Sequence, residues 1–256
     1  MAPRRYVLHE ANYRQLLDYQ PNVAVLPWGA TEAHNYHLPY GTDVTQVAAV
    51  AERAVADAHD RGAKPVLLPT VPFGHNTQQL DQVATISIGH ESIACILRDV
   101  ARSLARQGID RLVVVNGHGG NEFKPFIRDI QDATGVFIVR VDFWQTQPEL
   151  HAEVFEAPGS HADEMETSMM LHLAPEWVVM AQAGPGEVKP YTIDGISQPG
   201  VWTPVPWGKA CPDTGSGDPS PATAEKGERF VAGVADALAR LLVGLSHAQK
   251  GDLPYV

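Results

Sequence analysis

The stretch "DRLVVVNGHGGNEFKPFIRDIQDATG", residues 110–135, predicts a strand, a glycine-rich loop and a helix in succession. Residues 112–115 of the run 110–117 are all branched and apolar, as in a strand that is buried on both faces. Residues 120–135 have helical periodicity and end at a glycine, which is common just past a helix. His118 lies between the two elements, where a parallel sheet presents its ligand-binding groups. The stretch therefore predicts an α/β fold with a site at the carboxyl ends of its strands.

The rest of the chain repeats this alternation. Further strands are predicted at 22–27, 64–71 and 136–144, and further helices at 43–62, 90–108 and 220–245. Such a rhythm is typical of a three-layer α/β/α sandwich with a mostly parallel central sheet. Neither a repeat nor a domain boundary is evident, so we predict one domain over residues 1–256.

Composition and charge narrow the classes of partner. Of the 256 residues 44% are hydrophobic, which is enough for a substantial core, and the formal net charge is −11. Nucleic acid and an anionic membrane would repel such a surface. The first twenty residues lack the apolar segment of a secretory signal, and no run reaches the roughly 18–20 apolar residues that span a bilayer. A small-molecule substrate is therefore expected, with no nucleic acid and no membrane as partner.

The two cysteines indicate the compartment. Cys95 and Cys211 lie far apart and form no metal-binding or redox motif. Cys95 falls in an apolar helical pattern, which predicts a buried, reduced thiol. A cytoplasmic location is therefore expected.

Histidines and acids gather in three loops that follow predicted apolar or strand-like segments. The segment "WGATEAHNYHLPYGTD", residues 28–43, contains Glu32, His34, His37 and Asp43. The glycine-rich loop contains His118, and "GSHADEMETSMMLHLAPE", residues 159–176, contains His161, Glu164 and Glu166. Asp43 has the alternative of capping the helix that follows it, and Glu166 that of a capping-box acid or a satisfied buried group. Three such loops at strand ends of one sheet nevertheless predict a metal site.

The ligand types narrow the choice of metal. Mixed carboxylates and imidazoles suit zinc, manganese or iron better than calcium, which prefers oxygen ligands alone. Two histidines and three acids exceed the ligands of one tetrahedral zinc, which indicates two metals that share a bridging carboxylate.

The order "LPWGATEAHNYHLPYGTD", "VNGHGGN" and "HADEMETSMML" resembles the creatininase (creatinine amidohydrolase) superfamily over essentially the whole chain. The resemblance implies a three-layer α/β/α fold, two divalent metal ions per subunit and a homo-oligomer, usually a hexamer. It implies that Glu32, Asp43 and His118 hold one metal, and that His34 and the same Asp43 hold the other. His161 matches the histidine that transfers protons in creatininase. Zinc and manganese are the expected metals, with iron and magnesium as further candidates.

The sequence departs from creatininase at Gly120, where that enzyme has a glutamate that completes its second metal. Glu164, where creatininase has an apolar residue, is the predicted replacement and the fifth metal ligand. His37, His75 and Asn76 are predicted to line the substrate pocket. The altered pocket makes creatinine itself a weak candidate substrate.

A binuclear site of this kind predicts hydrolysis by a hydroxide that bridges the two metals, with His161 delivering a proton to the leaving group. A small, polar, cyclic amide is the favoured substrate. Two alternatives stay open: C–C cleavage of a keto-inositol or keto-sugar ring, and a non-catalytic metal-binding protein on the same fold.

One long segment, residues 184–221, is dense in glycine and proline and holds Trp202 and Trp207. A loop of that length within a domain is more often functional or interfacial than idle. Its apolar side chains predict a contact between subunits.

Overall fold

The computed structural model describes residues 3–249 of the chain, so the ends of the predicted domain, residues 1, 2 and 250–256, lie outside the described residues. The helices are α1 Tyr13–Tyr19, α2 Thr42–Asp60, α3 His90–Arg106, α4 Lys124–Thr134, α5 Pro148–Val154, α6 Glu164–Leu173, α7 Trp207–Ala210 and α8 Ala224–His247. The strands are β1 Val23–Trp28, β2 Pro65–Leu67, β3 Arg111–Asn116, β4 Phe137–Asp142, β5 Gly159–His161 and β6 Ser216–Gly217.

The central sheet has four parallel strands in the order β2-β1-β3-β4. Trp28 at the end of β1 pairs with Asn116 at the end of β3, and Asn116 pairs with Asp142 at the end of β4. The carboxyl ends of these three strands are therefore level, and the loops that follow them leave the sheet side by side.

Both faces of the sheet are covered by helices. Val23 and Val25 of β1 lie in the core formed with α2 and α8, while Ala24 and Leu26 lie in the core formed with α3 and α4. Alternate side chains of a strand point to opposite faces, so each central strand must be apolar throughout to fill both cores. The predicted three-layer α/β/α sandwich is confirmed.

Some local predictions differ from the structure. β2 ends at Leu67 rather than at residue 71, because Pro69 has no N–H to donate to a sheet ladder. α4 begins at Lys124 rather than at 120, since residues 118–121 form a loop and Pro125 suits the first helical turn.

The predicted burial of Cys95 is wrong, although the thiol is free. The buried face of α3 carries Ile93, Leu97 and Ala101, four residues apart, and Cys95 lies on the exposed face.

Within residues 3–249, α8 is the one helix with the length and apolar composition of a membrane span. Half of its most apolar window is buried, against α2, α6 and the sheet. The core helix of an α/β sandwich has the same composition.

Candidate metal centre

The loops after β1 and β3 meet the start of α6 above the carboxyl edge of the sheet. Six buried titratable side chains converge there: Glu32, His34, Asp43, His118, His161 and Glu166. The first four and His161 are residues that the sequence predicts for the site.

Asp43, in the first turn of α2, lies at the middle of the cluster. Its Oδ1 is 2.9 Å from Nε2 of His34, and its Oδ2 is 3.1 Å from Nδ1 of His118. Glu32 Oε1 is 2.9 Å from the same His118 nitrogen, and Glu166 Oε2 is 3.7 Å from the same His34 nitrogen. The side chains thus form two ligand triads that share Asp43, with one carboxylate oxygen turned towards each.

The tautomers of the three histidines follow from their backbone partners. In each ring one nitrogen faces a carbonyl: His34 Nδ1 and Glu32 O at 3.1 Å, His118 Nε2 and His75 O at 3.2 Å, and His161 Nε2 and Ala33 O at 2.9 Å. A carbonyl oxygen only accepts, so that nitrogen carries the hydrogen. In the neutral ring the other nitrogen presents its lone pair to the carboxylates, which is how histidine metal ligands are held.

Several atoms of the cluster make no hydrogen bond within residues 3–249, although they are buried. They are both carboxylate oxygens of Glu32, Nε2 of His34 and Oδ2 of Asp43. Burying such groups unpaired is costly, and lone pairs that face each other need a proton or a cation between them. Imidazole nitrogens mixed with carboxylate oxygens suit zinc, manganese or iron. The side chains present therefore fit a divalent metal.

The electrostatics of the cluster agree with a cation site. Burial alone would lower the pKa of His34, but the negative charges of Asp43, Glu166 and Glu32 outweigh it and raise that pKa to about 10. The same balance raises the pKa of His118 well above its usual value. The site therefore attracts positive charge, and a metal ion would compete with protons for it.

Gly120 allows His118 to reach its backbone partner. A Cβ atom built at position 120 would overlap both Nε2 of His118 and the carbonyl oxygen of His75. Any side chain there would separate the two groups. The glycine at position 120 is therefore tied to the orientation of His118.

Two asparagines outside the predicted site fasten the same loops together. Asn121 accepts a hydrogen bond from His75 N at 3.1 Å and donates one to Asn116 Oδ1 at 3.1 Å. Asn116 Oδ1 also accepts from His118 N, at 3.2 Å. The two asparagines bracket the "NGHGGN" motif, which is the sequence signal that would have identified them.

The structure does not bring Glu164, the predicted fifth metal ligand, into the cluster. Its carboxylate accepts from the backbone N–H groups of Glu156 and Ala157, at 2.8 and 2.7 Å. Lys226 Nζ lies 2.5 Å from its other oxygen. The side chain of Glu166 faces His34 instead, because residues two apart in a helix point about 200° apart around its axis. In α6 it is therefore Glu166, two residues after Glu164, whose carboxylate lies in the cluster.

The three predicted pocket residues are placed differently from one another. His37 is buried against α6, with Nε2 2.8 Å from Thr167 Oγ1. The ring of His75 faces Ile88 O at 3.1 Å and stacks on His90, so its contact with the cluster is made by its carbonyl oxygen. Asn76 donates to Ile86 O, and its buried Oδ1 makes no hydrogen bond within residues 3–249. Their roles in substrate binding stay predictions.

His161 lies at the edge of the cluster. Its Nδ1 is 3.6 Å from Glu32 Oε1, and its ring centroid is 4.1 Å from that of His34. The ring of Trp207 also contacts the ring of His161, at 4.8 Å between centroids and 68° between planes. Burial, with the charge of His34, lowers the pKa of His161 to about 4.

Comparison with known proteins shows which family has a similar sequence. Residues 9–242 match the family model of creatininase, creatinine amidohydrolase. The chain is 34% identical over 234 residues to the mycofactocin precursor peptide peptidase of Mycobacterium ulcerans, an alignment that covers 87% of this chain and 84% of the relative. It is 29% identical to the creatinine amidohydrolase of Pseudomonas putida, over 84% of this chain and 88% of that enzyme.

Solved structures that are similar to this chain are also named as creatininases or creatinine amidohydrolases. A candidate creatinine amidohydrolase from Bacteroides fragilis superposes with a TM-score of 0.88 at 36% identity, over 96% of this chain and 98% of the other. A manganese form of creatininase superposes with a TM-score of 0.76 at 23% identity, over 96% of this chain and all of the other, and shows the shared fold.

The fold is an α/β/α sandwich with this buried cluster at its strand ends, and the relatives are a peptidase and an amidohydrolase. The protein is therefore a hydrolase. Within that class the chain belongs to the creatininase family, as its sequence motifs predict.

Proposed function

We propose that this protein is a metal-dependent amide hydrolase whose substrate is a short peptide. The observation that carries the metal dependence is the pair of buried ligand triads that share Asp43. The peptide is supported by the 34% identity to a precursor peptide peptidase over most of both chains. A peptide bond and a cyclic amide present the same C–N linkage, so this proposal widens the substrate that the sequence predicts.

We infer that each of the two triads would hold one divalent ion, with Asp43 common to both. Glu32, Asp43 and His118 would hold one ion, and His34, Asp43 and Glu166 the other. Divalent ions in such a site lower the pKa of water and polarise a carbonyl group. Zinc and manganese suit these ligands, and manganese is the metal named for one structural neighbour.

His161 would move the proton. Its Nε2–H is held by the carbonyl of Ala33, so the proton is exchanged at Nδ1, which faces Glu32. Nδ1 would accept a proton as the carbonyl is attacked and return it to the leaving amide nitrogen. The amide nitrogen needs that proton because an amide anion is a poor leaving group.

A small cyclic amide is the second candidate substrate, supported by the 29% identity to a creatinine amidohydrolase. Opening such a ring uses the same residues in the same roles. Cleavage of a C–C bond in a keto-inositol ring, and metal binding without turnover, are the alternatives that the experiment must separate.

We also propose a homo-oligomer, a hexamer as in the family resemblance, in the cytoplasm. Trp202 and Val83 are each 84% exposed and Ile193 is 67% exposed, which is costly for apolar side chains in water. Free cysteines at 95 and 211 agree with a reducing compartment.

The test is a substrate panel with the purified protein stripped by chelator and reloaded with Zn²⁺ or Mn²⁺. Short peptides, lactams and a keto-inositol are incubated with it, and products are identified by mass spectrometry. We expect new peptide termini in the reloaded sample and none in the stripped sample or in Asp43→Asn. Peptides left intact while lactams open would move the proposal to the second candidate. Turnover that survives stripping would overturn the metal dependence.

A further inference from the structure

The glycine- and proline-rich segment folds back onto the active site. We call residues 184–217 the arm. At its start Asn35 Nδ2 donates to Gly184 O at 3.1 Å, and Gly184 N donates to Asn35 Oδ1 at 2.9 Å. Near its end Asn35 N donates to Thr214 Oγ1 at 2.7 Å. Both ends of the arm are thus fastened to the residue that follows His34.

Two further links close the base of the arm. The buried carboxylate of Asp213 accepts from Gly186 N at 2.9 Å and from Gly215 N at 3.0 Å. The last residues, Ser216 and Gly217, pair as β6 with β5, which ends in His161. The arm is therefore a closed loop whose base rests on the segments that carry His34 and His161.

The return half of the arm brings an aromatic ring to the site. Trp207 begins α7, and its indole contacts the ring of His161 edge to face. α7 packs against the turn Thr77–Gln79, and Gly208 approaches Asp81 so closely that an added Cβ would overlap its carboxylate. Trp207 is half-buried, whereas Trp202 in the same arm is 84% exposed.

The contact between Trp207 and His161 bears on which substrates can bind. The ring of His161 contacts the rings of both His34 and Trp207, and its Nδ1 lies 3.6 Å from Glu32 Oε1 in the cluster. A scissile amide must come within hydrogen-bond distance of Nδ1 to exchange a proton there. The group attached to that amide would then lie within van der Waals reach of the indole, which offers an apolar, flat surface.

We propose that Trp207 is a specificity-determining residue, which selects substrates that carry an apolar or aromatic side chain beside the scissile amide. The chemistry of the ligand rests on the proposed amide hydrolysis. The position of Trp207 at the site does not, since it follows from the contact with His161. The two are therefore tested by different measurements.

The probes are glycine hydroxamate and phenylalanine hydroxamate, which combine a metal-chelating amide mimic with or without an aromatic side chain. Their dissociation constants are measured by calorimetry on the zinc-loaded protein, with no turnover required. We expect the wild type to bind the phenylalanine compound about tenfold more tightly. Trp207→Ala should abolish the difference with metal content unchanged, and the matched control Trp202→Ala should retain it. Light scattering checks that both variants keep the assembly of the wild type.

Trp207→Gln keeps a long side chain without the aromatic face. It is the variant to measure if Trp207→Ala does not fold. It too should lose the preference. Equal affinities in the wild type, no binding of either hydroxamate, or a preference that survives both Trp207 variants would overturn the proposal. A preference that depends on Trp207 in a protein that cleaves no peptide would uphold it and refute the proposed function alone.

Discussion

Glu164 and Glu166 begin the same helix, yet their carboxylates lie in different parts of the molecule. Glu164 pairs with Lys226 of α8 and with two backbone N–H groups, whereas Glu166 Oε2 lies 3.7 Å from Nε2 of His34. Both side chains are buried. One acid therefore ties α6 to its neighbours, and the other belongs to the candidate metal centre.

The pair offers a matched test of the ligand set. Glu166→Gln should lose one of the two predicted metal ions, because an amide is a much weaker ligand than a carboxylate. Glu164→Gln should keep its metal but lose about 1–3 kcal/mol of stability, because it removes the partner of Lys226. Elemental analysis and thermal unfolding measure the two effects. The opposite pattern, with metal lost only from the Glu164 variant, would restore the original prediction.

Asp43 should control both ions. Each of its oxygens faces a different histidine, so Asp43→Ala removes a ligand from each triad at once. We expect metal content to fall from about two ions per chain to near zero, while Glu32→Gln should affect one ion more than the other. A variant of Asp43 that keeps its full metal content would end the bridging assignment.

His161→Ala should separate proton transfer from metal binding. The ring lies at the edge of the cluster and outside the two triads that share Asp43. Metal content should therefore persist, while the turnover rate on the substrate that the panel identifies falls by a factor of about 10²–10⁴. If metal is lost together with activity, His161 is a ligand rather than the proton carrier. That outcome is open because Glu32, His34 and His161 also lie close enough to share a cation.

The glycine-rich loop gives a second matched pair. A Cβ atom at 120 would separate His118 from the carbonyl of His75, while one at 119 would meet nothing within 4 Å. Gly120→Ala should weaken metal binding about 10–100-fold, as the loss of a group that orients a ligand does, and Gly119→Ala should bind metal normally. Titration with Zn²⁺ compares the two. Equal affinities would show that the His75 carbonyl is dispensable.

Assembly is measured on the unmodified protein. A homo-oligomer would cover the exposed apolar side chains, among them Trp202 at 84% exposure. Light scattering at micromolar concentration should give several times the chain mass of 27.7 kDa, six times for a hexamer. A mass equal to one chain would refute the proposal, and Trp202→Asp should shift an oligomer towards smaller species.

The sequence by itself determined the features that depend on residues close together along the chain. The alternation of short branched runs with amphipathic stretches predicted the α/β/α sandwich, because hydrophobic periodicity records which faces are buried. Candidate ligand residues that directly follow strands, such as His118 after β3, could be assigned to one sheet edge because parallel strands end there together. These inferences need only neighbours along the chain.

The tertiary structure alone decided which groups meet. Glu166 rather than Glu164 reaches His34 because the packing of α6 against α2 and α8 sets the rotation of that helix, and two residues change the direction of a side chain by about 200°. The return of Trp207 to His161, 46 positions earlier, depends on the anchors of the arm at Asn35 and Asp213. Contacts between residues distant along the chain follow from how the elements pack, and no local pattern records them.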